Sequence, residues 1–402
     1  MENQKVIDVS ERLSFGKSLP LSLQHLFAMF GSTVLVPFLT GLNPSVALLT
    51  GGIGTLIYIF LTKGKIPAYL GSSFAFIAPI IAVSKAEGSG AAMFGAMLSG
   101  IVYVLIAAII AQYGVGWLNR LLPPVVVGSI VIVIGLGLAA TAIDMAKKNM
   151  LIAFVSLGIA VIASTLFRGF LGVIPILLGI VGGYLFAWMT GAVDLTKVSE
   201  AAWFTVPAFT FPKFSSLGAW TIAPVALVTI AEHIGHLLVT ESIVGRPLTK
   251  DPGLHRSILG DGVATTVAGL IGGPPATTYG ENIGVMAITR VYSVWVIGGA
   301  ACIAILFAFI GKLNALVSSI PVPVMGGISI LLFGIIASQG LRMLVDAGID
   351  FSQKRNLTIS SVIMVLGVGG AVIHIGGLEI GGMALATFAG ILLNLILPKK
   401  FS

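Results

Sequence analysis

The chain has 402 residues, of which 57% are apolar and only 9% are charged, and its mean hydropathy is +1.07. Soluble domains carry about 25% charged residues, so this composition excludes a sizeable soluble domain and predicts an all-α, polytopic membrane protein. The single cysteine, Cys302, excludes a disulfide framework. The net charge of +7 reflects where loop lysines and arginines lie, and we expect no nucleic-acid partner.

Apolar runs long enough to cross a bilayer recur along the whole chain. They predict about fourteen transmembrane segments in two sets of seven, separated by a polar loop at residues 190–217. The first set covers residues 19–39, 45–61, 72–83, 91–112, 125–146, 151–166 and 170–189. The second set covers residues 219–240, 257–271, 283–288, 291–310, 316–337, 357–373 and 383–397.

The distribution of basic residues predicts the orientation of these segments. With the N-terminus inside and the segments alternating, 16 of the 22 lysines and arginines fall inside, including Lys5, Lys399 and Lys400. Cytoplasmic loops of membrane proteins carry an excess of lysine and arginine. We therefore expect both termini to be cytoplasmic.

The two sets of segments also resemble each other. Gln24-His25 matches Glu232-His233 at an offset of 208 residues, and Pro67-Ala68 matches Pro275-Ala276 at the same offset. An odd number of crossings per repeat turns the second copy upside down. Inverted repeats with paired interrupted helices are typical of secondary transporters, which bind substrate at the repeat interface.

The clearest interruption lies at residues 274–284. Pro274 and Pro275 end the preceding helix, a polar run leading to Glu281 follows, and an apolar helical stretch then resumes. Non-helical backbone at membrane depth is tolerated only where it is buried in protein or lines a cavity. The short helices expected after Gly71 and Gly280 begin with unpaired backbone N–H groups, which can donate to a ligand.

Glu232 and Glu281 lie deep in predicted segments, where a carboxylate costs about 2.5–3.5 kcal/mol on insertion scales. Burial disfavours the charged form of a carboxyl group, so these glutamates are candidates for carrying a proton. The alternative is that they are protonated residues that hydrogen-bond between helices. His236 follows Glu232 by four residues and shares its helix face. It could relay a proton or form an interhelical hydrogen bond, and too few ligands surround it to predict a metal site.

The aromatic residues Phe74 and Tyr279 flank the two breaks, where they could supply flat apolar surface or simply face lipid. A cavity with carboxylates, backbone donors and aromatic rings suits a flat, uncharged, polar ring, because carboxylates accept from ring N–H groups and backbone N–H groups donate to ring C=O groups. For the repeat-related pair His25 and His233 we favour a structural role.

Three stretches, at residues 22–31, 65–76 and 281–290, carry motifs of a known family. The last contains Glu281-Asn282, followed by Gly284 and Thr289. Together they resemble the nucleobase–ascorbate transporter (nucleobase:cation symporter) family, and most closely its uracil-transporting branch, which carries Glu at the position of Glu281. The similarity extends from about residue 19 to residue 397.

The resemblance implies two domains and a homodimer. A core domain would comprise residues 1–115 and 217–313, and a gate domain residues 116–216 and 314–402. The third and tenth segments would begin as short antiparallel strands. The protein would lie in the lipid of the cytoplasmic (inner) membrane and form homodimers through gate helices.

The resemblance also implies a set of site residues. Glu232 and Glu281 would hold the base, and the backbone of Phe74 and Gly280 would complete its hydrogen bonds. The wider implied set consists of Tyr279, Ser32, Ser72 and Phe333 around the substrate, His236 in proton coupling, and His25 and Asn282 as structural support. Phe333 would line the route on the gate side, at a position where Tyr also occurs.

The function implied is proton-coupled uptake of uracil by alternating access, with the proton as coupling ion and no other cofactor. A carrier of xanthine or other purines is the alternative within the same class. An anion exchanger or channel of the same architecture is the alternative of another class, and it would need a cation facing the substrate. An enzyme is not expected, because the sequence holds no nucleophile–base constellation and no nucleotide-binding loop.

Overall fold

The computed structural model of the protein describes residues 6–375 and 378–398. Lys5, Lys399 and Lys400, which the charge distribution assigns to the inside, and the outer limits of the two expected domains lie outside these residues. The described part is mostly helical, and six helical stretches in it are long and apolar enough to cross a membrane. The chain is therefore a multi-pass membrane protein.

The helices and strands of the first half, in chain order, are α1 (Phe15–Thr40), α2 (Pro44–Leu61), β1 (Leu70–Ser72), α3 (Ile77–Glu87), α4 (Ser89–Tyr113), α5 (Gly116–Leu121), α6 (Pro124–Leu136), α7 (Ala139–Lys147), α8 (Met150–Leu166), α9 (Pro175–Met189) and α10 (Thr196–Glu200). Those of the second half are α11 (Ser216–Ile222), α12 (Ala226–Val244), α13 (Leu254–Ile271), β2 (Ala276–Thr278), α14 (Gly280–Thr289), α15 (Val294–Ala308), α16 (Gly311–Ser318), α17 (Val322–Asp346), α18 (Lys354–Val368), β3 (Val372–Ile375), β4 (Leu378–Gly381) and α19 (Gly382–Ile396).

Proline marks the start of several long helices, as expected for a residue that lacks the N–H group a helix leaves unpaired there. α2 begins at Pro44, and the side chain of Asn43 accepts a hydrogen bond from the amide of Ser45 at 2.8 Å. α6 and α9 also begin at a proline, Pro124 and Pro175 respectively.

Several predicted segments differ from the observed helices. The segment at 316–337 begins within α16, is interrupted before α17 and continues to Asp346. The segment at 125–146 is divided into α6 and α7, and the segment at 219–240 is divided into α11 and α12 by a 3₁₀ turn at Ala223–Val225 that contains Pro224. The segment at 357–373 ends early because its last residues enter the strand β3, which pairs with β4 in a hairpin. The predicted polar loop at 190–217 contains the short helix α10.

The two interrupted segments meet in the middle of the molecule. β1 and β2 pair in antiparallel orientation, with Leu70 opposite Thr278, Gly71 opposite Thr277 and Ser72 opposite Ala276. This pairing confirms the two short antiparallel strands implied by the family resemblance.

Neighbouring helices supply partners for the outer edges of these strands. The amide of Leu70 donates to the hydroxyl of Thr55 on α2 at 2.9 Å, and the amide of Ala276 donates to the hydroxyl of Thr265 on α13 at 3.1 Å. Because the bilayer offers no water to such groups, these threonines make an isolated strand pair tolerable at this depth.

The tightest helix packing is between α4 and α13, where small residues allow the backbones to approach each other. A Cβ atom added at Gly262 would lie 3.0 Å from the carbonyl oxygen of Gly100. α2 packs closely against α13 and α15, and α6, α7 and α8 pack against α17. The strand pair itself packs against α1 and α2 on the side of β1 and against α12 and α13 on the side of β2.

Candidate substrate site

A cavity of about 270 Å³ lies beside the strand pair, where α12 and the start of α14 face α17. Small-molecule sites usually measure roughly 300–1,000 Å³, so this cavity suits a small ligand. Its lining includes the six predicted residues Phe74, Glu232, His236, Tyr279, Gly280 and Glu281, together with Ala28, residues 173–176, Thr277, Thr278, Leu332, Ile335, Ile336 and Gln339. The structure therefore brings the two predicted carboxyl groups, which are 49 residues apart in sequence, to one cavity.

Glu281 lies in the first turn of α14, directly after the strand β2. The hydroxyl of Ser32 on α1 donates to its Oε1 atom at 2.5 Å. The N-terminal end of a helix carries a partial positive charge that stabilises an acidic side chain. Ser32 does not itself line the cavity, but its hydroxyl holds one carboxyl oxygen of Glu281.

Glu232 and His236 come from the middle of α12, one turn apart. The Nδ1 atom of His236 lies 3.1 Å from the hydroxyl of Thr278, the last residue of β2. This hydrogen bond links α12 to the strand pair and sets the direction of the imidazole that faces the cavity.

Tyr279 packs its ring over Gly71, where an added Cβ atom would overlap the ring atoms of the tyrosine. The phenol donates to the backbone carbonyl of Ser72 at 3.0 Å and accepts from the hydroxyl of Thr33 at 3.3 Å. Ser72 thus contributes to this arrangement through its backbone carbonyl, and its side chain does not line the cavity.

His25 and Asn282 lie behind the cavity and are almost fully buried. The side-chain amide of Asn282 donates to the carbonyl oxygen of His25 at 3.0 Å and lies 3.1 Å from its Nδ1 atom. These contacts fasten α14 to α1, on the side of α14 away from the residues that line the cavity.

Phe333, implied to line the route on the gate side, does not line this cavity. It is buried in a cluster with Val36, Ile77 and Leu138. The cavity is lined instead by Leu332, Ile335, Ile336 and Gln339 of the same helix. These positions recur at helical spacing on one face of α17, whereas residue 333 points about 100° away from residue 332.

Sequence reasoning missed Asp261, a fully buried carboxyl group on α13. Its Oδ2 atom lies 3.0 Å from Nδ1 of His233, and Nε2 of His233 lies 2.7 Å from the hydroxyl of Ser257. That hydroxyl lies 2.6 Å from the phenol oxygen of Tyr58. The signal was present in the sequence, because an ionisable residue within a membrane segment is a functional candidate by default.

Gln339 was also missed, because α17 continues to Asp346, nine residues beyond the predicted end of its segment. It lines both the first cavity and a second one of about 520 Å³. The second cavity shares Glu232 and His236 with the first and extends to Arg342 and Asp346. The second cavity thus extends from these shared residues toward the ends of α12, α14 and α17.

No lysine or arginine is among the described residues that line the first cavity. Two carboxyl groups, an imidazole, two aromatic rings and the N-terminal end of α14 surround it. This combination can accept hydrogen bonds from a ligand, donate to its carbonyl groups and cover its flat faces, but it offers no fixed positive side chain to an anion.

A multi-pass helical protein with broken helices around a buried polar cavity is a membrane transporter in class. Residues 16–376 match the Xan_ur_permease family, which is described as a permease family. The chain belongs to this family and is a transporter rather than an enzyme.

Uracil permeases from several bacteria are similar to this chain along nearly its whole length. The uracil permease of Bacillus caldolyticus is 58% identical, with 99% of this chain and 96% of that protein covered. The uracil permease of Bacillus subtilis (strain 168) is 59% identical, with 94% and 92% covered. That of Escherichia coli (strain K12) is 50% identical, with 98% and 94% covered.

Solved structures of other transporters share the fold at low sequence identity. SLC26A9 matches with a TM-score of 0.70 at 12% identity over 94% of this chain, which spans 64% of the length of that chain. The transmembrane domain of the cyanobacterial bicarbonate transporter BicA matches with a TM-score of 0.64 at 14% identity over 96% of this chain and 100% of that one. These likenesses concern the fold alone.

Proposed function

We propose that the protein takes up uracil across the cytoplasmic membrane as a uracil:proton symporter that works by alternating access. The observation that carries this proposal is that Glu232 and Glu281 line the same small cavity beside the strand pair of β1 and β2. The uracil permeases that are 50–59% identical to this chain over almost its full length support the choice of substrate.

In the proposed complex, uracil lies between the strand pair and α17. Glu281 accepts from a ring N–H group through the carboxyl oxygen that Ser32 does not hold, and Glu232 accepts from the other side of the ring. The backbone N–H groups at Phe74 and Gly280 donate to the ring carbonyl groups. The rings of Phe74 and Tyr279 cover the faces of the base.

The proposed coupling ion is the proton, carried by Glu232, Glu281 and His236, and no other cofactor takes part. A buried carboxyl group without a cationic neighbour favours its protonated form. Protonation of the Glu232 region from outside then permits binding of the neutral base, with Glu281 ionised as the acceptor of a ring N–H group, and both the base and the proton are released inside. The outward-facing and inward-facing states must differ in affinity for the substrate if binding is to drive the change between them.

The proposed architecture has fourteen segments in two inverted repeats, divided into a core (residues 1–115 and 217–313) and a gate (residues 116–216 and 314–402). The pairing of the repeat-related strands β1 and β2 supports the repeat. The division is supported by close helix packing within each part, such as α4 with α13 in the core and α6 with α17 in the gate.

The proposed orientation has both termini in the cytoplasm. The second cavity then leads from the site to the inside, past Arg342 and Asp346, and the conformation is the inward-facing one. We place the homodimer contacts on the gate helices, as in the family that the sequence resembles, and membrane lipid around the remaining apolar surface.

The two alternatives have less support. The similar proteins described above are uracil permeases, and none of them is a purine carrier. An anion exchanger, the function that the fold of SLC26A9 or BicA would suggest, expects a fixed cation at the substrate, and no lysine or arginine is among the described residues of this lining.

Uptake of labelled uracil into proteoliposomes tests the proposal. An inwardly directed proton gradient should accelerate uptake, and a protonophore should abolish the acceleration. Uptake that ignores the protonophore would exclude proton coupling. Unlabelled xanthine should compete poorly with uracil, and competition by xanthine alone would exclude uracil as the substrate.

A further inference from the structure

An amino-terminal segment, residues 6–12, runs alongside the connection between α14 and α15. The amide of Ile7 donates to the carbonyl oxygen of Arg290 at 3.0 Å, and the amide of Tyr292 donates to the carbonyl oxygen of Ile7 at 2.9 Å. The two stretches form a parallel bridge in which Ile7 faces Val291. The segment is therefore joined by backbone hydrogen bonds to the residues that directly follow α14.

Val9 anchors this segment in the protein interior. Its side chain is only 1% exposed and belongs to the same buried cluster as Tyr279, Ile283 and Met286. Its carbonyl oxygen accepts a hydrogen bond from the amide of Val294 at 3.0 Å. The segment thus packs against the helix that carries Glu281 and is not a loosely attached tail.

The same segment also reaches the end of α12. The guanidinium group of Arg246 donates to Oδ2 of Asp8 at 2.6 Å, and both side chains are about half exposed. Arg246 follows Gly245, which ends α12 in the left-handed conformation. Asp8 therefore ties the end of the helix that carries Glu232 to the connection that follows the helix carrying Glu281.

The far end of the segment is held as well. The hydroxyl of Ser293 donates to the carbonyl oxygen of Glu11 at 2.7 Å. The guanidinium group of Arg12 lies 3.7 Å from the ring centre of Trp295, a geometry in which the cation is attracted to the aromatic face. Contacts at both ends hold Asp8 and Val9 in place between them.

We propose that residues 6–12 act as a positioning strap that sets the spacing of α12 and α14, and through it the separation of Glu232 and Glu281. α14 has only ten residues, so its far end lies roughly 15 Å from its start at a rise of 1.5 Å per residue. A displacement at that end is thus carried to the site by one short, stiff helix. This inference rests on the proposed role of the two glutamates in holding the substrate.

Release of the strap should lower the fraction of molecules in which Glu232 and Glu281 are correctly spaced for binding. When only part of a population is competent to bind, the apparent affinity falls by that fraction. Release of the strap therefore weakens uracil binding without removing any group that contacts the base.

Two sets of variants test the strap. Val9→Asp places a charge in the buried cluster, and we expect a rise in the uracil Kd of about tenfold. Asp8→Arg and Arg246→Asp each reverse one partner of an exposed ion pair, for which about a two- to fivefold loss is expected. The double reversal restores the attraction and should return the Kd to within about twofold of the wild type. Asp144→Arg, which reverses one charge of the exposed Lys147–Asp144 pair, is the matched control and should change nothing.

A distance measurement separates the strap from the substrate. Spin labels at Ser242→Cys and Ile288→Cys, both at exposed positions near the ends of α12 and α14, report their spacing in a background carrying Cys302→Ser. We expect a narrow distance distribution in the parent protein, a broader one in Val9→Asp and the single reversals, and a narrow one again in the double reversal.

An unchanged distribution in these variants would overturn the strap, and so would a broadened distribution with an unchanged uracil Kd. Failure of the parent protein to bind uracil would instead overturn the proposed function, while the distances would still decide whether the strap exists. If Val9→Asp does not fold, the charge reversals provide the same test.

Discussion

Replacement of Glu281 by glutamine should weaken uracil binding more than the loss of one charge alone. The hydroxyl of Ser32 donates to Oε1 of Glu281 at 2.5 Å. In Glu281→Gln the hydroxyl of Ser32 keeps its donor role only if it meets the amide oxygen, because the amide nitrogen is not an acceptor. In that arrangement the nitrogen, with its two hydrogens, faces the base, and a donor meets the ring N–H donor. If the hydroxyl instead accepts from the amide, the oxygen faces the base and only the charge is lost.

The magnitude follows from two contributions. A hydrogen bond to a charged group contributes about 1.5–3 kcal/mol, and a buried donor left without an acceptor costs about 1–3 kcal/mol. Their sum is about 2.5–6 kcal/mol, and the lower half of that range is expected because water can reach the site through the second cavity. The uracil Kd should thus rise by about 70- to 1,000-fold, measured by calorimetry on the purified protein.

A second substitution tests the geometric part of this reasoning. In Ser32→Ala/Glu281→Gln the glutamine is free to turn its oxygen to the base, so the double variant should bind uracil more tightly than Glu281→Gln alone. A double variant that binds no better than the single one would refute the role of Ser32 in orienting residue 281. A Kd for Glu281→Gln within threefold of the wild type would remove Glu281 from the substrate site.

Two further substitutions probe the surroundings of the site. Asp261→Ala removes the carboxyl group that lies 3.0 Å from Nδ1 of His233 and leaves a buried imidazole nitrogen without its partner, at a cost of about 1–3 kcal/mol; the melting temperature in detergent should fall by several degrees, and an unchanged value would contradict a stabilising pair. Gly71→Ala forces the ring of Tyr279 out of position at a cost of about 1–3 kcal/mol, so uracil affinity should fall by about 5- to 150-fold. Gly158→Ala, which adds a Cβ atom in open space, is its control and should bind as the wild type does, and equal affinity of both alanine variants would contradict the proposed contact.

The helical part of the fold was predictable because a bilayer imposes a length on each apolar run. The bounds of α1, α2 and α4 differ from the predicted ones by only a few residues. The breaks at residues 125–146 and 219–240 were not predicted, because hydropathy measures how apolar a run is and carries no information on where its backbone hydrogen bonds change partner.

The hairpin of β3 and β4 was missed for a related reason. Residues 372 and 373 read as the end of the apolar helix predicted at 357–373, and a short apolar run does not distinguish strand from helix. The strands β1 and β2 were expected only through the family resemblance. Their pairing depends on contacts between residues about 200 positions apart, and no local pattern contains that information.

Of the candidate site, the residues that sit at the chain breaks were the predictable ones. Glu281 and Tyr279 stand next to prolines that interrupt a membrane segment, and Glu232 is a charge in an apolar helix. Asp261 carries the same signal as Glu232, because it is an ionisable residue within the predicted segment at 257–271. The position of Phe333 could not be inferred from sequence, because the face that α17 turns to the cavity depends on how the helix packs.

The strand pair also bears on how the molecule is made. β1 is complete once residue 72 has entered the membrane, but its partner β2 begins at residue 276 and is synthesised only after the eleven helices α3 to α13. Until then the inner edge of β1 exposes backbone groups that have no pairing strand, in a solvent that offers little water. Contacts between such distant parts of a chain form late and slowly, so a nascent chain has no binding centre for most of its synthesis. The two carboxyl groups can meet only after Glu281 has been made, and α17 adds the facing wall of the cavity later still.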